Sequence, residues 1–163
     1  MRFVADHHFA APVDAVAAGL LDPEFHRDLQ LPDLRLLDVI DGETEGSQSQ
    51  LRLRYEFVGH LDPIARRLLG PRRKLTWVQD LRLDRADGTG RLRFEAEADP
   101  RRLHGAADVA LRPGDQGTAR RIDGELVVAV PVVGGQAERR IVPGLLRRLD
   151  IEARALDERL RAS

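Results

Sequence analysis

The chain has 163 residues, of which 42% are hydrophobic and 33% are charged, and its formal net charge is −1 at pH 7. This composition is typical of a folded protein, and the length suits one domain over residues 1–163. The balanced charge argues against a general nucleic-acid binder, whose affinity depends on many unopposed lysine and arginine side chains. The sequence contains no cysteine, which excludes disulfides, thiolate nucleophiles and cysteine-ligated zinc.

The first residues and the hydropathy pattern bear on the cellular location of the protein. Residues 1–8 include polar side chains where a secretory signal would need an apolar core. No run in the sequence approaches about 18 uninterrupted apolar residues, so no transmembrane segment is expected. We therefore expect a cytoplasmic protein.

The chain begins with a strand and two short helices. Residues 1–9 alternate with a period of two, which predicts a half-buried strand. Its inward side is expected to carry Phe3, Ala5, His7 and Phe9. Pro12 suits the first turn of a helix that ends at Asp22-Pro23, and residues 24–29 are expected to form a second short helix.

Strand-like segments occupy the middle of the chain. They are predicted at residues 34–40, 51–57, 75–83, 92–98, 103–111 and 119–130, with a turn over Asp41 to Gly46 after the first. Apolar and polar residues alternate along these strands, so each strand has one solvent-exposed face and one buried face, which is typical of an antiparallel sheet. On the second of these strands, Arg52, Arg54 and Glu56 are expected to face water.

An amphipathic helix is predicted from Gly134-Gly135 to the end of the chain. Its apolar residues recur every three or four positions, at Ala137, Ile141, Leu145, Leu149, Ala153, Leu156 and Leu160. Charged residues cover the other side, with Asp150–Arg154 and Asp157–Arg161 at the favourable four-residue spacing. Pro143 is expected to mark a kink or the true start of the regular helix.

Several local motifs accompany this order of elements. Residues 128–138 read Val-Ala-Val-Pro-Val-Val-Gly-Gly-Gln-Ala-Glu at the junction of the last strand and the helix. Residues 9–16 open the first helix, and Trp77 follows a basic Pro-Arg-Arg-Lys stretch. The order and the motifs resemble the START-like, or polyketide-cyclase-like, superfamily, and within it a bacterial branch classed as a domain of unknown function.

The resemblance implies an α+β helix-grip fold. In that fold a seven-stranded curved antiparallel sheet wraps around the long C-terminal helix, two short helices follow strand 1, and an apolar ligand space lies between sheet and helix. The resemblance implies no catalytic residue and no cofactor.

Two polar residues fall on inward faces. His7 could bind a ligand oxygen or act as an acid or base near neutral pH, or its ring could be satisfied by backbone or by Tyr55. Gln79 lies between apolar neighbours, so it is either hydrogen-bonded in the core or faces a wet cavity. His7 and His8 point to opposite faces of a strand and cannot ligate one ion, so no metal site is expected.

We expect the interior to bind a hydrophobic small molecule, lipid-like or polycyclic. Tyr55 and Trp77 each offer a large apolar surface and one hydrogen-bond donor, although ordinary core packing would also explain them. The predicted lining is His7, Leu53, Tyr55, Phe57, Trp77, Gln79, Phe94, Val128, Ile141, Leu145 and Leu149.

Two other functions are open at this point. One is an aromatase/cyclase-type enzyme that uses His7 and Tyr55 as catalytic residues on a polyketide-like substrate, a hypothesis that rests on analogy with the superfamily. The other is a scaffold with a filled interior, which the aromatic content of 4% favours. The sequence favours a carrier, non-enzymatic or with an unrecognised enzymatic activity, over either.

Residues 60–74 form a distinct basic and apolar connection. Ile64, Leu68 and Leu69 make an apolar stripe beside basic side chains at Arg66, Arg67, Arg72, Arg73 and Lys74. Such a segment would act as a lid or entrance of the cavity, or touch an anionic membrane transiently. A solvated connection that packs a few apolar residues on the end of the sheet is the alternative.

Overall fold

The structure is a computed structural model that describes residues 1–70 and 74–163. Within these residues, seven strands form an antiparallel sheet in the order β1-β7-β6-β5-β4-β3-β2. The strands are β1 (Arg2–Phe9), β2 (Leu34–Glu45), β3 (Gln48–Phe57), β4 (Leu75–Asp84), β5 (Thr89–Ala96), β6 (Leu103–Gly114) and β7 (Gly117–Val128). The helices are α1 (Val13–Leu20), α2 (Pro23–Asp28), α3 (Pro63–Leu69) and α4 (Gly134–Ala162). The predicted helix-grip fold, with two short helices after the first strand, is confirmed.

The alternating pattern places one face of the sheet against α4. Along β3, Leu51, Leu53 and Tyr55 are buried while the arginines between them are partly exposed. Leu149 of α4 belongs to the main hydrophobic core, and Trp77 of β4 packs against that same core. The apolar sides of sheet and helix therefore enclose one interior, as the alternation predicts.

Helix α4 begins at Gly134, as predicted, and continues through Pro143 to Ala162. Pro143 therefore does not mark the start of the helix. Arg161 and Asp157 form the predicted ion pair at 2.9 Å, whereas Asp150 contacts His7 of β1. No helix in the described parts of the chain, α4 included, is long and apolar enough to cross a membrane.

The predicted turn at residues 41–46 is wrong for most of its length. Strand β2 continues to Glu45, and the chain reverses at Gly46 and Ser47. The register between β2 and β3 shifts twice, between Leu36 and Asp38 and again between Val39 and Asp41. Such bulges interrupt the period of two, which is why alternation alone ended the strand too early.

Glu56 also departs from its prediction. It is buried although it lies on the side of β3 that was expected to face water. Arg35 of β2 donates a hydrogen bond to its carboxylate at 2.6 Å, and this contact lowers the pKa of Glu56. A partner on the neighbouring strand therefore covers this charge.

The two glycines that open α4 provide a matched test of the helix–sheet contact. A Cβ on Gly134 would lie 2.2 Å from the carbonyl oxygen of Val128, whereas the nearest atom to a Cβ on Gly135 is 3.6 Å away. We expect Gly134→Ala to lower the free energy of unfolding by about 1–3 kcal/mol through overpacking. Gly135→Ala should be neutral or stabilise by up to about 1 kcal/mol. Urea unfolding of both variants checks this, and equal stabilities would contradict the close approach.

Candidate ligand-binding site

The interior contains two apolar clusters. The larger joins α1 and α4 to the inner faces of most strands, and the smaller consists of Leu51, Leu53 and Tyr55 on β3. Trp77 packs against both clusters, and its ring stacks on that of Tyr55 with the centroids 5.9 Å apart. The aromatic pair therefore marks where the two clusters meet.

A buried ion pair connects the sheet to α4. Arg120 of β7 and Glu152 of α4 are only 2% and 4% exposed. The Arg120 guanidinium donates a hydrogen bond to Glu152 Oε1 at 2.6 Å and another to the carbonyl oxygen of Leu149 at 3.3 Å. Burial alone would raise the pKa of Glu152, but the neighbouring charges of Arg120 and Arg148 lower it, so the carboxylate is ionised.

His7 lies at the β1 end of this ion pair. The Arg120 guanidinium donates to His7 Nδ1, at 3.2 Å from Nε and 3.1 Å from Nη2. Nε2 lies 2.9 Å from Asp150 Oδ1, to which it donates when the proton is on that nitrogen. Burial and the charge of Arg120 lower the pKa of His7, so the neutral ring with both nitrogens engaged is favoured.

Arg148 lies on the other side of Glu152 and has a different environment. It is 5% exposed, its Nη2 is 3.9 Å from Glu152 Oε2, and its guanidinium carbon is 4.9 Å from the centre of the Tyr55 ring. Among the described residues, none of its three guanidinium nitrogens has a hydrogen-bond partner. It is therefore held by charge and by a cation–π contact.

Tyr55 and Gln79 have unsatisfied polar atoms in the same region. The Tyr55 hydroxyl and Gln79 Oε1 are buried and lack a hydrogen-bond partner within the described chain. Gln79 pairs with Leu53 while Tyr55 pairs with Trp77, so the two polar side chains are diagonal neighbours on one face. Burial raises the pKa of Tyr55, and the charge of Arg148 and its approach to the hydroxyl oppose this only in part, so the hydroxyl is protonated at neutral pH.

His26 of α2 is a further buried group near these charges. Its Nε2 donates to the carbonyl oxygen of Leu20 at 2.7 Å, while Nδ1 has no partner among the residues the structure describes. Burial lowers the pKa of His26, although Glu152 opposes the shift. With both histidines neutral, the fully buried charges here are those of the two arginines and Glu152, which leave one positive charge in excess; the Asp150 carboxylate that contacts His7 is half-exposed.

We call Arg120, Glu152, Arg148, Tyr55, Gln79, His7 and His26 the interior polar group. Its contacts run from His7 through Arg120, Glu152 and Arg148 to Tyr55. His7 and Tyr55, the two candidate catalytic residues, therefore lie at opposite ends of this row and are linked through three other side chains.

Most other predicted lining residues border the interior. Leu53, Phe94, Val128 and Leu149 are buried, and Ile141 and Leu145 pack at the margin of the main core. Phe57 is half-buried at the end of β3, against Gly59.

The sequence-based prediction missed four members of the interior polar group. These are Arg120, Glu152, Arg148 and His26. Two signals were available: Arg120 alternates with Thr118 and Ile122, which are inward positions, and Arg148 and Glu152 have helical i,i+4 spacing beside Leu149. Charged residues are rarely fully buried, so these positions on their own do not point to the interior.

Two concavities, of about 560 and 460 Å³, lie on the other face of the sheet. Arginine and aspartate side chains such as Arg82, Asp84 and Asp108 line them. Neither concavity is lined by α4. In this conformation, therefore, neither is the expected space between sheet and helix.

Comparison with known proteins identifies the family. A family profile described as "Protein of unknown function (DUF2505)" matches residues 5–160. The chain belongs to this family. No match to this DUF2505 chain is found among curated proteins.

Solved structures of the same fold include three with high coverage. The Thermus thermophilus protein TTHA0849 is 18% identical, with a TM-score of 0.70, over 99% of this chain and 98% of its own. The Zhui aromatase/cyclase from Streptomyces sp. R1128 is 16% identical, with a TM-score of 0.65, over 98% and 92%. Ms6760 from Mycobacterium smegmatis is 16% identical, with a TM-score of 0.64, over 99% and 91%. At these identities the likeness shows a shared fold.

The buried histidines predict how stability depends on pH. The folded-state pKa values of His7 and His26 are below their ordinary value of 6.5, so the unfolded chain binds protons that the folded chain excludes. The free energy of unfolding should therefore be constant, as far as these groups are concerned, above about pH 7.5 and should fall as the pH drops through 6.5. Thermal unfolding from neutral to mildly acidic pH measures this slope.

Substitutions test whether the imidazole rings of His7 and His26 cause this pH dependence of stability. His26→Gln, which can keep a donor toward Leu20, and His7→Gln should each flatten the dependence. His8→Gln, on the exposed side of β1, serves as the matched control. An unchanged slope in the double variant of His7 and His26 would contradict the assignment.

Proposed function

We propose that this DUF2505 protein binds a hydrophobic small molecule with a polar end, between the sheet and α4, and acts as a carrier. The observation that supports this most directly is that buried hydrogen-bonding atoms of Arg148, Tyr55 and Gln79 have no partner among the described residues. Each such atom costs about 1–3 kcal/mol when buried without a partner. A ligand that meets these atoms would recover that free energy.

The apolar surroundings would supply the rest of the binding energy. Trp77, Ile141 and Leu145 are partly buried at the margin of the main core, beside the interior polar group. Covering such side chains contributes roughly 25 cal/mol per Å² of apolar surface removed from water. A molecule with an apolar body and one polar end therefore fits this arrangement better than a fully polar one.

Helix α3 is the best-supported entrance. It connects β3 and β4 near Phe57 and Leu75, which pair with each other. None of its side chains is fully buried, although Ile64 and Leu68 pack against the main core. A short helix that buries so little surface is a segment that opens at low cost.

An ion pair holds α3 in place. Asp62 caps the helix by accepting a hydrogen bond from the backbone N–H of Ala65 at 2.8 Å, and it also pairs with Arg140 of α4. The predicted membrane contact of residues 60–74 depends partly on Arg72 and Arg73, which lie outside the described residues. It therefore stays a prediction.

The alternatives have weaker support. A cyclase that uses His7 as its base would need a free ring nitrogen, and both nitrogens are engaged with Arg120 and Asp150. A scaffold with a filled, dry interior would gain stability by replacing Arg148 with an apolar residue, since burying a guanidinium that makes no hydrogen bond to the described residues is costly. The likeness to the Zhui enzyme concerns the fold and adds no assignment of a reaction.

Trp77 is the only tryptophan in the chain, which makes it a probe of binding. We expect saturable changes in its emission when delipidated protein is titrated with long-chain alcohols, fatty acids, sterols and polycyclic aromatics. Leu145→Gln should weaken binding because it places an amide on the apolar margin. Val132→Ser, at a fully exposed position, is the control and should bind like the parent protein. No response across the panel from folded protein would contradict carriage.

The α3 entrance predicts a kinetic effect. Arg140→Ala removes the pairing with Asp62 and should speed ligand association by up to about fivefold, the equivalent of an exposed ion pair worth about 1 kcal/mol. Arg139→Ala, an adjacent exposed change on α4, should leave the rate unchanged. Stopped-flow emission of Trp77 measures both. Equal rates for the two variants would place the entrance elsewhere.

A further inference from the structure

We infer that the polar end of the ligand is a monoanion, in the simplest case a carboxylate, and that Arg148 is the residue that binds it. This inference rests on the proposed function and narrows its ligand class. It depends on a comparison of the two buried arginines, on the charge of the interior polar group and on the position of Tyr55.

The two arginines have similar burial but opposite bonding. Arg120 donates hydrogen bonds to Glu152, to His7 and to the carbonyl oxygen of Leu149. Arg148 donates no hydrogen bond to the described residues, although it is almost as deeply buried, with only 5% of its surface exposed. Arg120 is thus bonded both within the sheet and to α4, whereas the donors of Arg148 have no hydrogen-bond partner in the part of the chain that the structure describes.

Glu152 does not satisfy Arg148. Its Oε1 accepts from Arg120 at 2.6 Å, while its Oε2 is 3.9 Å from Arg148 Nη2, beyond hydrogen-bond distance. One carboxylate therefore faces two guanidinium groups. Among the fully buried charges, the excess of one positive charge matches a ligand with one negative charge, such as a carboxylate, rather than a phosphate dianion; Asp150, at the His7 end of the row, is half-exposed to water.

The surroundings of Arg148 suit a planar anion attached to an apolar body. A guanidinium presents paired N–H donors whose spacing matches the two oxygens of a carboxylate. The ring of Tyr55 supports the guanidinium from one side, and its hydroxyl, which has no partner in the described parts of the chain, offers a further donor. Gln79 Oε1, an acceptor on the same face of the sheet, would suit a hydroxyl group on the ligand.

Matched ligand pairs test the charge requirement. Decanoic acid is compared with decanol and methyl decanoate, and anthracene-9-carboxylic acid with its methyl ester, by calorimetry and by Trp77 emission. We expect each acid to bind roughly tenfold or more tightly than its neutral counterpart, since hydrogen bonds to a charged group are the stronger class.

Substitutions test whether Arg148 causes the preference for acids. Arg148→Met should remove the preference for the acids, Arg148→Lys should retain part of it, and Arg147→Met, an exposed change next to it on α4, should retain all of it. Thermal unfolding checks that each variant is folded. If the methionine variant does not fold, the lysine variant and the acid–ester comparison on the parent protein decide the question.

The outcomes separate the inference from the proposed function. Neutral ligands that bind as tightly as acids would leave carriage intact and overturn the anion requirement. A preference for acids that survives in a folded Arg148→Met protein would overturn the role of Arg148. Failure of acids and neutral ligands alike to bind would overturn both.

Discussion

The Arg120–Glu152 ion pair is the interaction on which the arrangement of this interior depends. It joins β7 to α4 at 2.6 Å in a place where both side chains are almost fully removed from water. Desolvating two such charges costs several kcal/mol per ion, and only close geometry and additional hydrogen bonds compensate for it. If the helix were placed differently on the sheet, each of these two buried charges would lose its partner, which would destabilise the folded protein. The pair therefore favours the position of the helix in which Glu152 contacts Arg120.

The same ion pair determines the hydrogen bonding of two neighbouring side chains, His7 and Arg148. Arg120 occupies His7 Nδ1 and helps to keep that ring neutral. Glu152, already bonded to Arg120, attracts Arg148 by charge, and Arg148 has no hydrogen bond to any residue that the structure describes. One arginine is therefore bonded between the sheet and the helix, while the other has no hydrogen-bond partner among the described residues. This division of roles is what connects the architecture of the protein to its proposed ligand.

The fold alone carries little functional information. Proteins as different in sequence as TTHA0849 and the Zhui aromatase/cyclase share it at 18% and 16% identity. Function in such a widely used fold depends on the side chains that line the interior. In this chain those side chains include a guanidinium without a hydrogen-bond partner in the described residues, a protonated tyrosine and an amide, and for this reason we propose recognition of an amphipathic molecule rather than acid–base chemistry.

The sequence by itself determined the architecture of this protein. Alternation along β3 and helical spacing from Ala137 to Leu160 specify which faces are apolar, and burying those faces against each other leaves few arrangements. The bulges in β2 could not be predicted, because they interrupt the two-residue alternation locally. Only the tertiary structure decided which charges are inside. Arg120 and Glu152 are 32 residues apart, and neither shows locally that the other will compensate for its burial.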